Sequence, residues 1–309
     1  MNINLSTRQA FGEALAEVME KDEKVVAITA DLGESLRMLE LKEKFPQRFL
    51  DTGVAEANMA GIAAGLALAG FKPTAGTFAV FLARAFDHIR VQICQNNVHV
   101  VIVGSHGGVS NAADGASAQA LEDIAYMRAL PNMKIVFPSD YNEMKNALPM
   151  LFSADGPIYL RLYREPTPIF TDIKKRFEVG KAQVVRKGKN ISIIGTGPQT
   201  AYAVQAADIL QKKNIDAEII SVPTIQPLDS KTILASGKKT GRVVTVEDHS
   251  INGGLGSAVA ELFSENYPLQ MKRLGARKYG ESGSFSEMIK NMGIDTESIV
   301  DAARKMLKK

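Results

Sequence analysis

Short apolar, β-branched segments alternate along the chain with segments whose apolar residues recur at the helical period of about 3.6 residues. In the first half, strands are predicted at 25–29 (VVAIT), 98–104 (VHVVIVG), 134–137 (KIVF) and 158–162 (IYLRL). In the second half, they are predicted within 191–197 (ISIIGTG) and at 216–222, 242–248 and 271–275. Because strands that alternate with helices form parallel sheets covered by helices, the pattern predicts an α/β fold with two doubly wound domains.

Polar residues mark where several of the predicted helices begin. Ser6 followed by Gln9 fits a capping box, and Asp140 stands where a strand ends and a helix cap is expected. The segment GTGPQT (195–200) starts like a dinucleotide fingerprint but has Thr200 in place of the third glycine. It therefore predicts a strand-to-helix turn and not a nucleotide site.

The alternation lapses between about Arg164 and Asn190, where the chain is charge-rich and contains prolines. A chain of 309 residues also exceeds what one hydrophobic core usually fills. We therefore predict a first domain over 1–165, a linker over 166–189 and a second domain over 190–309.

Composition narrows the class of protein. The net charge of +3 is small, and basic and acidic residues are interleaved, which argues against nucleic-acid binding. The sequence predicts neither an export signal nor a membrane span, and the lone Cys94 lies in a segment that reads as a buried helix, as expected of a cytoplasmic protein. The four histidines are scattered and lack metal-ligand spacing, so no metal site is predicted on this chain.

Three segments carry candidate chemistry. Glu56 is the only charge after Asp51 in a segment of mostly small residues that ends at Gly70 and is predicted to be a helix. Small residues allow close approach, so this helix is expected to pack against something large, such as another subunit. The plain alternative for Glu56 is a solvated carboxylate in the first turn of the helix. Phe78 and Phe81 have the spacing of an ordinary core stripe. The long polar segment after Gly104 follows a strand end, where open α/β sheets place ligands, although a surface loop is equally compatible.

Taken together, these segments resemble the transketolase family. The motifs TRQAFGEAL, ITADLGES, GVAEANMAGIAAGLA, TFAVFLARAFDHIR, SHGGVSNAADGASAQ and LRLYREP occur in the order and spacing of its pyrimidine-binding domain. The segment VEDHSINGGLGSAV resembles its C-terminal domain, so the similarity covers nearly all of the chain.

The resemblance implies a set of cofactor-binding residues. Glu56 matches the glutamate that hydrogen-bonds the aminopyrimidine ring of thiamine diphosphate and promotes formation of its carbon nucleophile. Phe78 and Phe81 match the aromatic residues around that ring, and Asp31 matches a cofactor-side acid. Arg84 stands where a tyrosine often faces the ring.

The resemblance also implies substrate contacts. Arg8, Ser35, His106 and Arg164 match the residues that grip the substrate phosphate, and Asp114 matches the aspartate that reads a hydroxyl of the donor sugar. Glu56 and His106 are the implied catalytic pair. Ala118 replaces a family histidine that contacts the donor, which leaves the donor preference open.

A missing motif points to a partner. The family binds the cofactor's diphosphate with Mg²⁺ or Ca²⁺ through a GDG motif in its N-terminal domain, and this sequence contains no GDG. The resemblance thus implies the C-terminal subunit of a split transketolase that acts with an N-terminal subunit on sugar phosphates, in a heterotetramer that dimerises through the pyrimidine-binding domain. The alternatives are another thiamine-diphosphate enzyme subunit, such as a 2-oxo-acid dehydrogenase β subunit or a deoxyxylulose-phosphate synthase, and a non-catalytic paralogue.

Overall fold

A computed structural model describes residues 4–308 as an alternation of strands and helices. The strands are β1 (Asn4–Leu5), β2 (Val25–Thr29), β3 (Phe49–Asp51), β4 (Lys72–Phe78), β5 (Val101–Ser105), β6 (Lys134–Val136), β7 (Ile158–Arg161), β8 (Thr167–Pro168), β9 (Gln183–Arg186), β10 (Ile191–Gly195), β11 (Ala217–Ser221), β12 (Thr224–Gln226), β13 (Arg242–Ser250) and β14 (Gln270–Ala276). The helices are α1 (Thr7–Lys21), α2 (Leu39–Lys44), α3 (Glu56–Leu68), α4 (Phe86–His88), α5 (Asp123–Arg128), α6 (Tyr141–Leu151), α7 (Gln199–Gln211), α8 (Ser230–Thr240), α9 (Leu255–Asn266), α10 (Phe285–Asn291) and α11 (Thr296–Leu307).

The larger sheet has the strand order β12-β6-β7-β5-β4-β2-β3 and is parallel except at β12. Its central strands β2, β5 and β7 are buried throughout, as expected of parallel strands covered on both faces. Helices α1 and α6 pack on one face, and α3 with α5 covers the other. The predicted α/β class is confirmed for this half of the chain.

The second sheet has the order β14-β13-β10-β11-β9 and is parallel except where β9 meets β11. Helices α7 and α11 build the core on one face, and α8 with α9 builds the core on the other. The second half of the chain is therefore also doubly wound, as predicted.

Local predictions fare unevenly. Ser6 accepts from Gln9 N at 3.3 Å, but the Gln9 side chain donates to Glu13, so only half of the predicted capping box forms. Asp140 caps α6 by accepting from Glu143 N at 2.9 Å, as predicted. The strand predicted from 98 begins at Val101, and GTGPQT forms the turn between β10 and α7. The stretch predicted as a linker contains the short strands β8 and β9, which join separate sheets.

Cys94 is buried at the end of a π-helical turn, as its periodic surroundings predict, and burial raises the pKa of its thiol to about 11. Over residues 4–308, no helix combines the length and the apolar character that crossing a bilayer requires.

A fully buried ion pair lies where the two halves of the chain meet. Arg161, in β7, donates through Nε and Nη2 to the Asp123 carboxylate at 2.7 and 2.9 Å. Its Nη1 donates to the backbone oxygen of Asp248, in β13, at 2.9 Å. Burial alone would raise the pKa of Asp123, but the adjacent Arg161 guanidinium holds that pKa below its ordinary value. Arg161 thus forms hydrogen bonds with residues of both halves of the chain.

Candidate active site

The candidate residues gather at the carboxyl edge of the larger sheet. Asp31 follows the end of β2, Phe78 ends β4, His106 follows β5 and Arg164 comes three residues after β7. These four strands are parallel and adjacent in the sheet, so their carboxyl ends lie side by side. This edge is where open α/β sheets bind ligands.

Glu56 is the first residue of α3, and its side chain is only 4% exposed. The preceding Ala55 offers no capping side chain, so the helix dipole and its free amides favour a carboxylate at this position. The cation that pairs with Glu56 is Arg84, whose Nη1 lies 3.3 Å from Glu56 Oε1 and whose side chain is 59% exposed. The structure therefore has a buried acid, not the solvated first-turn residue of the plain alternative.

Three rings and a guanidinium are stacked next to this acid. The Arg84 guanidinium lies 4.7 Å from the centroid of Phe81, and the Phe81 and Phe78 rings are stacked with centroids 5.5 Å apart. Phe78 is stacked in turn on His106, with centroids 3.9 Å apart. Stacked planar groups fix one another's orientation, so this row joins the surroundings of Glu56 to those of His106.

His106 adopts a left-handed backbone conformation with φ of 59° immediately after β5. Its Nδ1 is hydrogen-bonded to Ser105 Oγ at 2.9 Å, which limits rotation of the ring. Burial, followed by the nearby cations Arg8 and Arg164, lowers the pKa of His106 to about 3. The imidazole is therefore neutral near physiological pH, and a strained conformation kept at a strand end is typical of functional positions.

The predicted phosphate-binding residues lie together. Arg8 Nη1 donates to the backbone oxygen of Ser35 at 3.0 Å, and Arg164 Nη1 donates to Asp114 Oδ2 at 3.1 Å. Burial, followed by the neighbouring cations Arg37 and Arg164, lowers the pKa of Arg8. Three guanidinium groups, with Glu165 as an acidic neighbour, are thus close enough to influence one another, which suits a site for a multiply charged anion.

Asp31 is less closely tied to the others. It has a φ of 58°, its side chain is exposed, and its backbone amide donates to Asp51 Oδ1 at 2.9 Å. Asp31 is thus bonded to the last residue of β3, whereas the other candidates contact one another. Its cofactor role remains a prediction.

Ala118 lies in the polar loop after β5, in a short 3₁₀ turn (Ala116–Ala118). Its backbone oxygen accepts from Asn111 Nδ2 at 2.5 Å, while the next residue, Gln119, donates to the Glu281 backbone oxygen of the second half at 3.0 Å. The loop is therefore held from both halves of the chain. At position 118 it presents a methyl group where the family pattern has an imidazole.

Two residues of this region have no counterpart in the sequence prediction. Arg37 adds a third cation near Arg8, and Ser105 orients His106. Arg37 lies two positions after the end of ITADLGES, and nothing in its spacing from other residues singles it out. Its φ of 60° is visible only in the structure. Ser105 sits at the end of an apolar strand, where a small polar residue is unremarkable without its contact.

The fold and the edge cluster define an α/β protein with a polar site at the carboxyl ends of its strands. Residues 4–168 match the family described as "Transketolase, pyrimidine binding domain", and residues 180–299 match "Transketolase, C-terminal domain". The chain belongs to the transketolase family.

Similar proteins include split members of this family. The chain is 40% identical over 307 residues to the putative transketolase C-terminal section of Methanocaldococcus jannaschii, covering 98% of this chain and 96% of that one. It is 36% identical over 301 residues to the 6-deoxy-6-sulfo-D-fructose transketolase subunit SqwH of Clostridium sp., covering 97% and 94%. A solved structure titled "Split gene transketolase, inactive beta4 tetramer" aligns with a TM-score of 0.92 and 38% identity over 98% of this chain and 99% of that one.

Proposed function

We propose that this chain is the C-terminal subunit of a two-chain transketolase, which transfers a two-carbon ketol unit from a ketose phosphate to an aldose phosphate. The observation that carries the proposal is the buried carboxylate of Glu56 at the start of a small-residue helix, paired with Arg84, whose guanidinium lies over the Phe81 ring of the aromatic row. The match to both transketolase domains and to split relatives over their full lengths supports it.

The residues present fit one half of thiamine diphosphate. A buried acid, a nearby row of aromatic rings and Arg84 form surroundings suited to an aminopyrimidine ring. Within residues 4–308, no group of three or more His, Cys, Asp or Glu side chains is arranged to hold a metal ion. The diphosphate and its Mg²⁺ or Ca²⁺ would accordingly be held by an N-terminal subunit carrying the GDG motif. When bound, thiamine diphosphate supplies the carbon nucleophile that accepts the ketol unit.

The residues of this chain would divide the remaining work. Glu56 would hold or release a proton at the pyrimidine ring, and Phe78 and Phe81 would orient that ring, with Asp31 and Arg84 beside the cofactor. With Nδ1 bonded to Ser105 Oγ, neutral His106 has Nε2 left for one hydrogen bond to an oxygen atom of a sugar. Arg8, Ser35 and Arg164 would bind the phosphate, and Asp114 would read a donor hydroxyl.

The anion at the far end of the substrate is a point on which the relatives differ. The clostridial relative is named for a sulfonated sugar, whose sulfonate carries one negative charge. Three guanidinium groups converge here, which favours a phosphate dianion over a sulfonate monoanion. We therefore propose that the substrates are sugar phosphates. The enzyme would then act in carbohydrate metabolism of the pentose phosphate type, in the cytoplasm.

The assembly we propose is a heterotetramer with two copies of each subunit. Helix α3 exposes Gly65 and Leu68, and Val54 just before it is 72% exposed, which supports an interface between copies through the pyrimidine-binding domain. The solved split-gene relative is described as an inactive beta4 tetramer, which is consistent with self-association of such chains without activity.

The test is reconstitution. The chain would be purified with the product of an adjacent reading frame that carries GDG, and assayed with Mg²⁺ and thiamine diphosphate on four donors: xylulose 5-phosphate, 6-deoxy-6-sulfofructose, hydroxypyruvate and pyruvate. We expect transfer from xylulose 5-phosphate that requires both chains. Preference for pyruvate would instead indicate a 2-oxo-acid dehydrogenase or deoxyxylulose-phosphate synthase activity, and preference for the sulfo-sugar would replace the phosphate assignment. No turnover of any donor by the mixed chains would refute the proposal.

A further inference from the structure

Asp248 of the second half reaches across the junction to the loop after β5. It lies in β13 and is fully buried. Its carboxylate accepts the backbone amide of Val109, with N to Oδ2 at 2.9 Å and N to Oδ1 at 3.2 Å. Val109 lies between His106 and Asp114, two of the proposed substrate contacts. A side chain outside the proposed site thus fixes the backbone that carries them.

The same carboxylate binds a second segment of the site. Tyr163 OH donates to Asp248 Oδ2 at 2.6 Å, and Tyr163 immediately precedes the proposed phosphate ligand Arg164. The Arg164 amide in turn donates to Ser110 Oγ at 3.3 Å, which closes a ring of contacts between the loop and the end of β7. Displacing the carboxylate would therefore release both segments together.

The carboxylate lies against the backbone of Gly108, where no side chain could be accommodated. Gly108 has a φ of +64°, and a Cβ placed on it would lie 2.0 Å from Asp248 Oδ2. The amides of Gly107 and Gly108 are already bonded to Leu162 O and Ala120 O within the first half. The Val109 amide is the one among these three consecutive amides that depends on the second half.

We infer that Asp248 is a positioning residue of the substrate site, which sets the placement of His106, Asp114 and Arg164 from the C-terminal domain. The inference rests on the proposed function for the identity of the substrate. A carboxylate suits the task because it accepts from two donors at once, an amide and a phenol. Burial raises the pKa of Asp248 to about 6, so the group is mainly ionised and able to accept both bonds near pH 7.

The test compares Asp248→Leu, which removes both acceptors, with Asp248→Asn, which keeps an oxygen for the Val109 amide and a donor for the Tyr163 oxygen. In the assembled enzyme, Asp248→Leu should raise KM for xylulose 5-phosphate about tenfold, since small misplacements of binding groups are costly, while Asp248→Asn should stay within about threefold. The KM for hydroxypyruvate, which has no phosphate, should rise by a smaller factor, about threefold, because Arg164 does not enter that reaction whereas His106 and Asp114 still do.

A second readout needs no activity. Hydrogen–deuterium exchange of the full chain alone should be faster in the peptide containing 106–114 for Asp248→Leu, and near the wild-type rate for Asp248→Asn. Asp229→Leu is the matched control, because Asp229 also accepts backbone amides, from Ala182 and Thr232, but it caps α8. It should lower Tm without changing exchange at 106–114 or KM.

The outcomes separate the two proposals. Wild-type exchange at 106–114 in Asp248→Leu, or an unchanged KM in an active enzyme, overturns the positioning role. Failure of the wild-type assembly to transfer ketol units would defeat the proposed function, while the exchange result would still decide whether Asp248 orders the loop. If Asp248→Leu does not fold, Tyr163→Phe removes one of the two bonds and should give a smaller rise in both exchange and KM; no rise in either overturns the inference.

Discussion

Arg84 Nη1 lies 3.3 Å from Glu56 Oε1, and the two side chains differ in exposure, 59% against 4%. A buried acid therefore faces a cation that stands largely in solvent. The arginine is held little by its own surroundings, so it can turn away when another hydrogen-bonding group takes its place, whereas a buried carboxylate left without any partner would be costly. Glu56 is thus free to exchange this partner for another hydrogen-bonding group, which a cofactor-activating acid must do.

Replacing Glu56 with glutamine tests this role. We expect Glu56→Gln to reduce transferase activity by about a hundredfold or more, because an amide cannot give up or take a proton as a carboxyl group does. The measurement is the rate of ketol transfer from xylulose 5-phosphate by the assembled enzyme, with Tm recorded in parallel. Glu218→Gln is the matched control and should keep most of the activity, because Glu218 is also a buried acid paired with a partly exposed cation, Lys239, but lies in β11 outside the proposed site. Full activity of Glu56→Gln with an unchanged Tm would exclude Glu56 from catalysis.

The aromatic row predicts a difference between two otherwise similar substitutions. Phe78 contacts both Phe81 and His106, whereas Phe81 lies at the Arg84 end of the row. We expect Phe78→Leu to weaken cofactor binding and to raise the KM for xylulose 5-phosphate, each by about three- to tenfold. Phe81→Leu should weaken cofactor binding by a similar factor and leave that KM unchanged. Titration of thiamine diphosphate and steady-state kinetics measure the two effects. Identical behaviour of the two variants would contradict the order of the row.

Histidine titration tests the electrostatics of the site. Because burial and the cations Arg8 and Arg164 lower the pKa of His106 to about 3, its NMR signals should show no inflection near the ordinary value of about 6.5. Arg164→Gln should move the pKa back toward that value. An inflection between about pH 6 and pH 7 in the unsubstituted chain would show that neither burial nor the cations lower the pKa of this ring.

The same shift has a consequence for stability, and its direction follows from linkage. The pKa of His106 in the folded chain is below its value in the unfolded chain, so between these two values the unfolded chain binds a proton more readily. The free energy of unfolding therefore decreases as pH falls from about 6.5 toward 3. At about pH 5 the loss amounts to about 2 kcal/mol of unfolding free energy. His106→Asn should therefore lose less stability than the unsubstituted chain between about pH 7 and pH 5, as measured by denaturant unfolding.

The buried pair at the junction predicts a large loss of stability. Arg161→Met leaves the Asp123 carboxylate buried without a counter-charge, which should lower the free energy of unfolding by about 3–5 kcal/mol. The double substitution Arg161→Met with Asp123→Leu should recover part of that loss, because it removes the stranded charge. Thermal unfolding of the unsubstituted chain and the two variants measures this, and a double variant less stable than the single one would contradict the explanation.

Much of the fold could be predicted from the sequence, because several of its strands are rich in apolar and β-branched residues. β2, β10 and β11 are fully buried and bounded by polar residues, so composition alone locates them. The misses have physical causes. β4 contains Pro73, Gly76 and two threonines, and β9 and β12 are short edge strands whose pairing depends on distant segments. Tertiary context overrides propensity at such places.

The site divides in a similar way. Residues carried over from the family motifs lie along one sheet edge, but the contacts that govern their behaviour join residues far apart in sequence. Asp248 lies 139 residues from Val109. It stands inside VEDHSINGGLGSAV, a segment that signalled membership of the family and gave no role to its aspartate. Only the packing of β13 against the loop reveals one.

The pairing of β12 with β6 bears on how the chain can be divided. Thr224–Gln226 belong to the second half by sequence but extend the sheet of the first half, and Phe137 N donates to Pro223 O beside them. A fragment ending near residue 180 would therefore lose a strand from its own sheet and leave the edge of β6 that faces β12 unpaired. Unpaired edges recruit other chains, so such a truncated product should aggregate even though it contains a complete family domain. The family domain over residues 4–168 therefore differs from the part of the chain that completes its sheet.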